Sequence, residues 1–453
     1  MTSSGTATAT TPASGRRRVV VSAAIGQFVE WYDFVVYAYV ASTVATLFFP
    51  DEDRVASLLA TFAVYAIGFV MRPVGGMVFG HFGDRLGRRG VLAVVILLMG
   101  GSTFAVGLLP TYQQIGILAP VLLVVCRLLQ GLSAGGEAMG SNALVAEHAP
   151  ENRRGMYVGF TYSFANLPAV FAALFVSLLS TVLTAEAFQS YGWRIPFFVG
   201  GVLSLVGLYI RSRVDESPAF EATREAGEVA KLPLLTVVRE QWRPLSFAFA
   251  MAALSGLGFY SLSSYFANYL QEAVKLSYNQ ALLSNGLAML VAFIVMPLAG
   301  LLSDRIGRRV VLVIGAAASA IVAVPAFLLA SNGSLAGALL GQSLFAVALG
   351  TFFGPVGVVF LELFPTSTRY SGAALGYNGA YVVFGGTAPM VGTWLVSATG
   401  SLLAPAIYMA VIAVGVLLVA LRIPETAHRS LKDADHAVET VGSYSVVPKG
   451  AVQ

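Results

Sequence analysis

Gly80-His81-Phe82-Gly83-Asp84-Arg85-Leu86-Gly87-Arg88-Arg89 decides how this chain is read. It joins two long apolar segments. A near copy, Gly300-Leu301-Leu302-Ser303-Asp304-Arg305-Ile306-Gly307-Arg308-Arg309, returns 220 residues later. Each copy packs cations, one aspartate and helix-ending glycines into a connection too short to be a domain. A second echo supports the first: Glu147, Pro150 and Arg154 correspond to Glu362, Pro365 and Arg369, each at an offset of 215. Two separate motifs recurring at nearly one distance mark a duplicated unit.

The medium around those copies is lipid. Only 11% of the 453 residues are charged and 57% are hydrophobic, with a mean hydropathy of +0.77; soluble domains carry about 25% charged residues. Apolar runs of about 20 residues, the length that spans a bilayer as helix, recur at 20–48, 55–80, 90–109, 117–146, 155–182, 194–211, 245–271, 278–301, 310–330, 335–361, 371–397 and 403–422. The predicted fold class is an all-α integral membrane protein, with twelve transmembrane helices (helix 1 to helix 12) in two six-helix bundles. The bundles are expected at 20–211 and 245–422, with a disordered amino-terminal tail at 1–19, a linker at 212–244 and a tail at 423–453. Helix 1 is too long for a signal-peptide core and ends in no small-residue cleavage site, so it is expected to stay in the mature chain.

The net charge of +4 says less than its distribution. With a cytoplasmic amino terminus, every Lys and Arg lies inside except Arg54, Arg194 and Lys275 outside and Arg72 and Arg127 within the membrane. The positive-inside rule then gives a multi-pass cell-membrane protein with both termini cytoplasmic. The basic patches read as topology signals, and no nucleic-acid partner is expected. A lone Cys126 speaks against disulfides and thiolate metal sites. All four histidines fall at or beyond helix ends, and no nucleophile–base set or metal cluster appears, so neither an enzyme nor a cofactor is expected.

Glu30 and Asp33 are three apart and share a face of helix 1, with Tyr37 one turn further along. At the helical rise, Glu30 lies roughly 15 Å from the cytoplasmic end. Glu137 in helix 4 has a similar depth; Arg127, with Gln130 beside it, lies about three turns further out, near the level of Tyr37. Arg72 stands next to Pro73 and close-packing glycines, and can be structural or functional. Acids inside a membrane are expensive and default to transport roles, a structural ion pair being the alternative. The second half has no charge at that depth. It offers Tyr260, Tyr265, Asn268 and Tyr269 in helix 7, Asn285 in helix 8, and Tyr377, Asn378 and Tyr381 in helix 11. The first half would carry charge and coupling, and the second aromatic walls and neutral hydrogen bonds, although each tyrosine is equally open to a packing role.

The two Gly-x-x-x-Asp-Arg-x-Gly-Arg-Arg loops resemble the signature loop of the major facilitator superfamily. Further stretches resemble its metabolite:proton symporter branch, which includes permeases for α-ketoglutarate, citrate, shikimate and proline or betaine. They are Glu30-Trp31-Tyr32-Asp33-Phe34, Arg72-Pro73-Val74-Gly75, Arg127-Leu128-Leu129-Gln130-Gly131 with Gly135-Gly136-Glu137, Glu147-His148-Ala149-Pro150, Glu216-Ser217-Pro218 and Glu362-Leu363-Phe364-Pro365. The resemblance implies the major facilitator fold, with alternating access by rocking of two bundles around a central cavity. It also implies a cytoplasmic gate. Asp84 would meet the positive end of helix 11, Arg85 and Arg88 would pair with acids such as Glu147, and Arg154, Asp304, Arg305 and Arg308 would complete the latch. Gln27, Ala138 and the stretch Tyr162–Pro168 depart from the branch pattern, so the solute need not be a familiar one. The tail lacks the coiled coil of osmoregulated betaine permeases, which argues against that role.

The expected function is proton-coupled symport importing a small polar metabolite, an organic acid first. Glu30, Asp33 and Glu137 would carry the proton. Arg127, Tyr37, Gln130, Tyr260, Asn268, Tyr377 and Asn378 would meet the substrate. The partners are the solute, protons and the bilayer, and a monomer is expected. The alternatives are a proton-driven exporter of amphiphilic compounds, uptake of a zwitterion such as proline or betaine, and a receptor built on a transporter fold.

Overall fold

Apolar runs in lipid satisfy their own backbone groups only as helices or closed barrels, and runs of bilayer length without period-two alternation select the helix. The computed structural model describes residues 13–86, 88–135, 142, 145–146, 148–211, 233–365 and 368–427, and every regular element among them is helical. Helix 1 is Ala13–Tyr39, continued as Ala41–Phe48; helices 2, 3 and 4 are Arg54–Leu86, Arg88–Leu108 and Leu118–Ala134. Helix 5 runs through Arg154–Ser163 and Leu167–Val182, and helix 6 is Ile195–Arg211. Helix 7 comprises Trp242–Tyr260 and Phe266–Glu272, followed by helix 8 (Tyr278–Ile306), helix 9 (Arg308–Ala330) and helix 10 (Leu335–Glu362). Helix 11 comprises Arg369–Ala380 and Ala388–Thr399, and helix 12 is Ala404–Ala420. Eight described stretches are long and apolar enough to cross a membrane; shorter apolar helices occupy positions 3, 4 and 12.

Two boundaries differ from expectation. Helix 1 already begins at Ala13, so Arg16, Arg17 and Arg18 are helical rather than part of a tail. The later part of the expected linker is the short helix Pro233–Glu240, and helix 7 starts at Trp242.

Three helices change pitch midway. Helix 5 tightens to a 3-10 turn at Phe164–Asn166, while helices 7 and 11 widen to π turns at Ser261–Tyr265 and Tyr381–Gly385. Such turns redirect backbone carbonyls and recur at functional sites. The Leu262 carbonyl accepts from Asn285 Nδ2 at 2.6 Å, and the Ser264 carbonyl from Asn268 Nδ2 at 2.9 Å. Elsewhere small residues bring backbones together. A Cβ on Gly131 of helix 4 would lie 1.7 Å from the carbonyl oxygen of Gly68 in helix 2, the close approach that glycine permits between membrane helices. Exposed apolar side chains such as Val70, Leu174, Ile321 and Val411 face outward, as a lipid-facing surface requires.

Candidate functional site

The pitch changes border a cavity between the two halves. Trp31 of helix 1 and Tyr162, Ala165 and Asn166 of helix 5 line it from the first half; Phe259, Met296, Phe353 and Tyr381 of helices 7, 8, 10 and 11 line it from the second. The side chains leave room there for about one water molecule, and among the described residues the lining carries no formal charge. Five of these side chains form a closed circuit. Trp31 meets Phe259 at 4.7 Å between ring centroids, Phe259 meets Phe353 at 6.4 Å, and Phe353 meets Tyr162 at 6.4 Å. The Tyr162 and Tyr381 hydroxyls are 3.1 Å apart, and Tyr381 returns to Trp31 at 6.4 Å. The Trp31 Nε1–H donates to Gln27 Oε1 at 2.9 Å, one turn back on helix 1. That contact gives a role to the glutamine that departs from the branch pattern.

Behind the cavity lies a buried hydrogen-bonded series across helices 4, 3 and 1. Arg127 Nη1 donates to Gln130 Oε1 at 2.8 Å, and Gln130 Nε2 donates to Thr103 Oγ1 at 2.9 Å. The Thr103 hydroxyl donates to Asp33 Oδ2 and has the Met99 carbonyl as a second acceptor at 2.9 Å. The Arg127 guanidinium also stacks on Tyr37, 3.6 Å from its ring centroid, and the Tyr37 hydroxyl donates to the Thr61 carbonyl at 3.0 Å. Asp33, Tyr37, Arg127 and Gln130 thus form one unit. Glu30 is buried and interacts electrostatically with Arg72. The Arg72 guanidinium stacks on Phe69 and Phe34 at 4.4 and 4.5 Å, and its Nη2 approaches the Tyr260 hydroxyl at 3.5 Å.

The remaining expected substrate contacts stand around the cavity rather than in its lining. Tyr260 packs on Trp31 at 5.8 Å and Tyr377 on Tyr381 at 4.0 Å, each backing a lining ring. Asn268 Nδ2 donates to the Ala38 carbonyl at 2.8 Å, tying helix 7 to helix 1. Asn378 Oδ1 is buried with no hydrogen-bond partner among the described residues. Glu137 and Glu147, together with the side chains of Asp84, Arg85 and Arg88, lie outside the described residues. Sequence reasoning did not select Thr103, Phe259 or Phe353; it quoted Trp31 only as part of the Glu30–Phe34 stretch, and Tyr162 only within the Tyr162–Pro168 stretch expected to border the cavity. An aromatic or threonine inside an apolar run carries no signal of its own.

At the end of the molecule that carries the second repeated loop, a buried ionic cluster joins the two halves. Asp304 accepts the backbone N–H groups of Gly155 and Met156 at 2.8 Å each, at the first turn of helix 5. Arg308 Nη1 donates to Asp304 Oδ1 at 2.7 Å, and its Nε reaches Glu362 at 3.5 Å. Arg154 of the first half pairs with the same Glu362 at 3.3 Å. Arg305 points outward and is exposed. Between helices 8 and 9, Gly307 adopts φ +105°, which accounts for a glycine at this place in the repeat. The segment after helix 12 closes over it. Glu425 accepts the backbone N–H groups of Arg308 at 2.8 Å, Arg309 at 3.2 Å, Thr426 at 3.0 Å and Ala427 at 2.9 Å, while the Thr426 hydroxyl donates to Glu362 at 2.7 Å.

The opposite end is joined chiefly by neutral groups. Tyr278 donates to the Tyr39 carbonyl at 2.8 Å, and Ser180 donates to Asn279 at 2.6 Å. One ion pair, Arg54–Glu272 at 2.6 Å, accompanies them, with Ser42 donating to the same carboxylate at 2.9 Å. The halves therefore meet at both ends.

Residues 23–388 and 249–448 match the family described as Major Facilitator Superfamily. The chain is 37% identical to the glycine betaine/proline/ectoine/pipecolic acid transporter OusA of Dickeya dadantii, over 93% of this chain and 86% of that protein. It is 40% identical to the inner membrane metabolite transport protein YhjE of Escherichia coli, over 93% of this chain and 97% of that protein. It is 34% identical to the ectoine/proline transporter ProP of Corynebacterium glutamicum, over 94% and 87%. Its fold resembles that of the partially occluded, inward-open xylose transporter XylE of E. coli, with a TM-score of 0.73 at 20% identity over 92% of this chain and 100% of that one.

Proposed function

Because the chain belongs to the Major Facilitator Superfamily, a group of membrane transporters, we propose that it is a proton-coupled symporter importing a small zwitterion of the proline or betaine kind by alternating access. The aromatic lining of the cavity, uncharged among the described residues, carries this reading. An organic anion shut in there would lack a counter-cation, and an unpaired buried charge is costly. A zwitterion brings both charges with it. The substrates named for the Dickeya and Corynebacterium relatives are of that chemistry, which moves the zwitterion ahead of the organic acid.

For the proton we favour Asp33. The Thr103 hydroxyl has one hydrogen and two acceptors in reach, Asp33 Oδ2 and the Met99 carbonyl. While Asp33 is ionised, the hydroxyl donates to it. Once Asp33 carries a proton, the carboxyl becomes the donor and the hydroxyl turns to Met99. One protonation event thereby changes contacts between helix 1 and helix 3, with Gln130 passing the change to Arg127 on helix 4. Glu30 and Glu137 are the reserve proton sites. Arg127, committed to Tyr37 and Gln130, reads as the counter-charge of this unit. The sidedness of the basic residues supports cytoplasmic termini, so the Asp304 cluster is the inner gate and Arg54–Glu272 belongs to the outer one.

The test is alkalinisation of a lightly buffered medium around energy-depleted cells expressing the protein, on adding proline, glycine betaine, ectoine or organic acids. Alkalinisation by the zwitterions is expected, lost in Asp33→Asn while exchange of labelled solute persists. A response to organic acids alone would return the substrate to that class. Extrusion of amphiphilic dyes without solute-linked alkalinisation would favour the exporter.

A further inference from the structure

Resting on the symport reading above, we infer that Tyr65 is a positioning residue of the coupling step: it passes the protonation state of Asp33 to helix 7, so that proton loading closes the outer end.

Tyr65 of helix 2 stands where the buried series of the first half meets the second half. The Arg127 guanidinium carbon lies 5.7 Å from its ring centroid, and the ring stacks on that of Tyr37, 5.9 Å away and inclined by 22°. Phe69 and Tyr260 hold the same ring at 5.4 and 6.0 Å. The Tyr65 hydroxyl faces Ser264 Oγ at 3.1 Å, and Ser264 Oγ faces Ser263 Oγ at 3.3 Å. Of the other side chains that engage Arg127, Gln130 bonds to Thr103 and Tyr37 to Thr61, both within the first half. Among the described residues around Arg127, Tyr65 is the one hydrogen-bonded to the second half.

Ser264 is placed to act on a movable segment. It belongs to the π turn Ser261–Tyr265, and its carbonyl accepts from Asn268, which also donates to the Ala38 carbonyl of helix 1. The segment beyond, Phe266–Glu272, ends at the carboxylate that Arg54 of helix 2 holds at the outer end. A hydrogen bond at Ser264 therefore biases how that segment docks on helices 1 and 2.

Charge sets the direction. The charged and titratable groups facing Asp33 are Tyr32 on its own helix and Arg127 on helix 4; helix 3 presents Thr103 and helix 6 presents Gly200. Glu30 acts on Arg72 and Tyr260. Arg127 faces Tyr37, Tyr65 and Cys126, and Tyr65 also faces Arg72. While Asp33 is ionised, its charge offsets that of Arg127. Once Asp33 takes a proton, the guanidinium leans more on Gln130 and on the faces of Tyr37 and Tyr65, both within the roughly 6 Å over which a cation and a ring attract. A cation drawing on a phenol ring makes its O–H a stronger donor. At Tyr37 that strengthens a bond inside the first half; at Tyr65 it strengthens the one to Ser264, across the halves. Symport needs this direction, because a loaded carrier closes to the outside before it opens inward.

Spin labels at the outer ends of helices 2 and 7 of the full-length protein in liposomes read the closed-to-open ratio in acid and in alkaline buffer. Protons and labelled solute taken up are counted on the same preparation. The wild-type ratio is expected to be about fivefold higher in acid. Tyr65→Phe deletes one hydroxyl of the bond and Ser264→Ala the other; each is expected to respond by less than about twofold, with fewer protons entering per solute. The double variant should lose no more than either single one, as two ends of one link do. A residue that only packs would displace the distances equally in both buffers and leave protons per solute unchanged, and that result overturns the inference. A wild-type ratio that is flat or falls in acid also overturns it. With solute-linked alkalinisation intact, either outcome leaves the symport reading standing. Absence of alkalinisation with every solute brings that reading down, and the inference with it.

Discussion

The Asp304 carboxylate reaches across from the second half of the molecule to Gly155 in the first, accepting its backbone N–H at 2.8 Å and that of the next residue at the same distance. The first N–H groups of a helix have no intrahelical partner and sit at the positive end of its dipole, so an anion there is well placed. Asp304→Asn keeps the shape and removes the charge. Closure of this end is expected to weaken by about 1–2 kcal/mol, roughly a tenfold shift toward the open state. Spin labels on the facing ends of helices 5 and 8 read the shift as a longer distance population. An unchanged distance distribution would take the latch away from Asp304.

The opposite end responds differently. The Arg54 side chain is 49% exposed, and ion pairs in contact with water contribute about 0–1 kcal/mol. Arg54→Gln is expected to change the opening equilibrium less than Asp304→Asn does at low salt. Near 1 M salt, where the screening length falls to about 3 Å, its effect disappears. The same spin-label measurement on helices 2 and 7 checks both parts. A salt-independent effect would mean that Arg54 acts through packing.

Thr103→Val keeps the side-chain outline and deletes the hydroxyl between Gln130 and Asp33. Each buried partner left unsatisfied costs about 1–3 kcal/mol. The larger expected effect is on coupling: fewer protons enter per labelled solute, with Thr103→Ser restoring the ratio. Alkalinisation and radiolabel uptake recorded on one preparation give that ratio directly. A ratio identical in Val and wild type would remove Thr103 from the proton path.

Gly131→Val drives a side chain into the Gly68 carbonyl. Overpacking of this kind typically costs about 1–3 kcal/mol and more where backbone must yield, so the yield of monodisperse protein and its unfolding temperature should both fall. Gly101→Ala is the control. No atom lies within 4 Å of a Cβ there, and alanine in a helix position that glycine occupies without need is neutral or stabilising by about 0.4–1 kcal/mol.

The helix order was legible because bilayer length is a one-dimensional property of the chain and lipid leaves the backbone few options. Asp304 and Arg308 were legible as residues worth watching because the repeat prints the same Asp and Arg twice. Arg127 shows the limit. Its depth marked it for a substrate carboxylate, but the groups that engage it, Tyr37 and Gln130, include one from another helix, and no periodicity predicts which face of helix 1 meets which face of helix 4. The aromatic circuit was less legible still. Trp31, Tyr162, Phe259, Phe353 and Tyr381 come from five helices, and each is locally indistinguishable from a packing residue. Only their meeting makes an enclosure. Helix 5 gave a partial hint, since the unusual Tyr162–Pro168 stretch proved to hold the 3-10 turn that turns Ala165 and Asn166 into the cavity.

Glu425 bears on how motion in this carrier can be watched. Among the described residues its carboxylate accepts only backbone groups of residues 308–309 and 426–427, and Thr426 binds Glu362. The described stretch after helix 12 is therefore riveted to the second half. A fluorophore fused beyond residue 427 would ride with that half, and one attached ahead of Ala13 with the other. Energy transfer between the two would then report the rocking of a working carrier without a label inside the membrane.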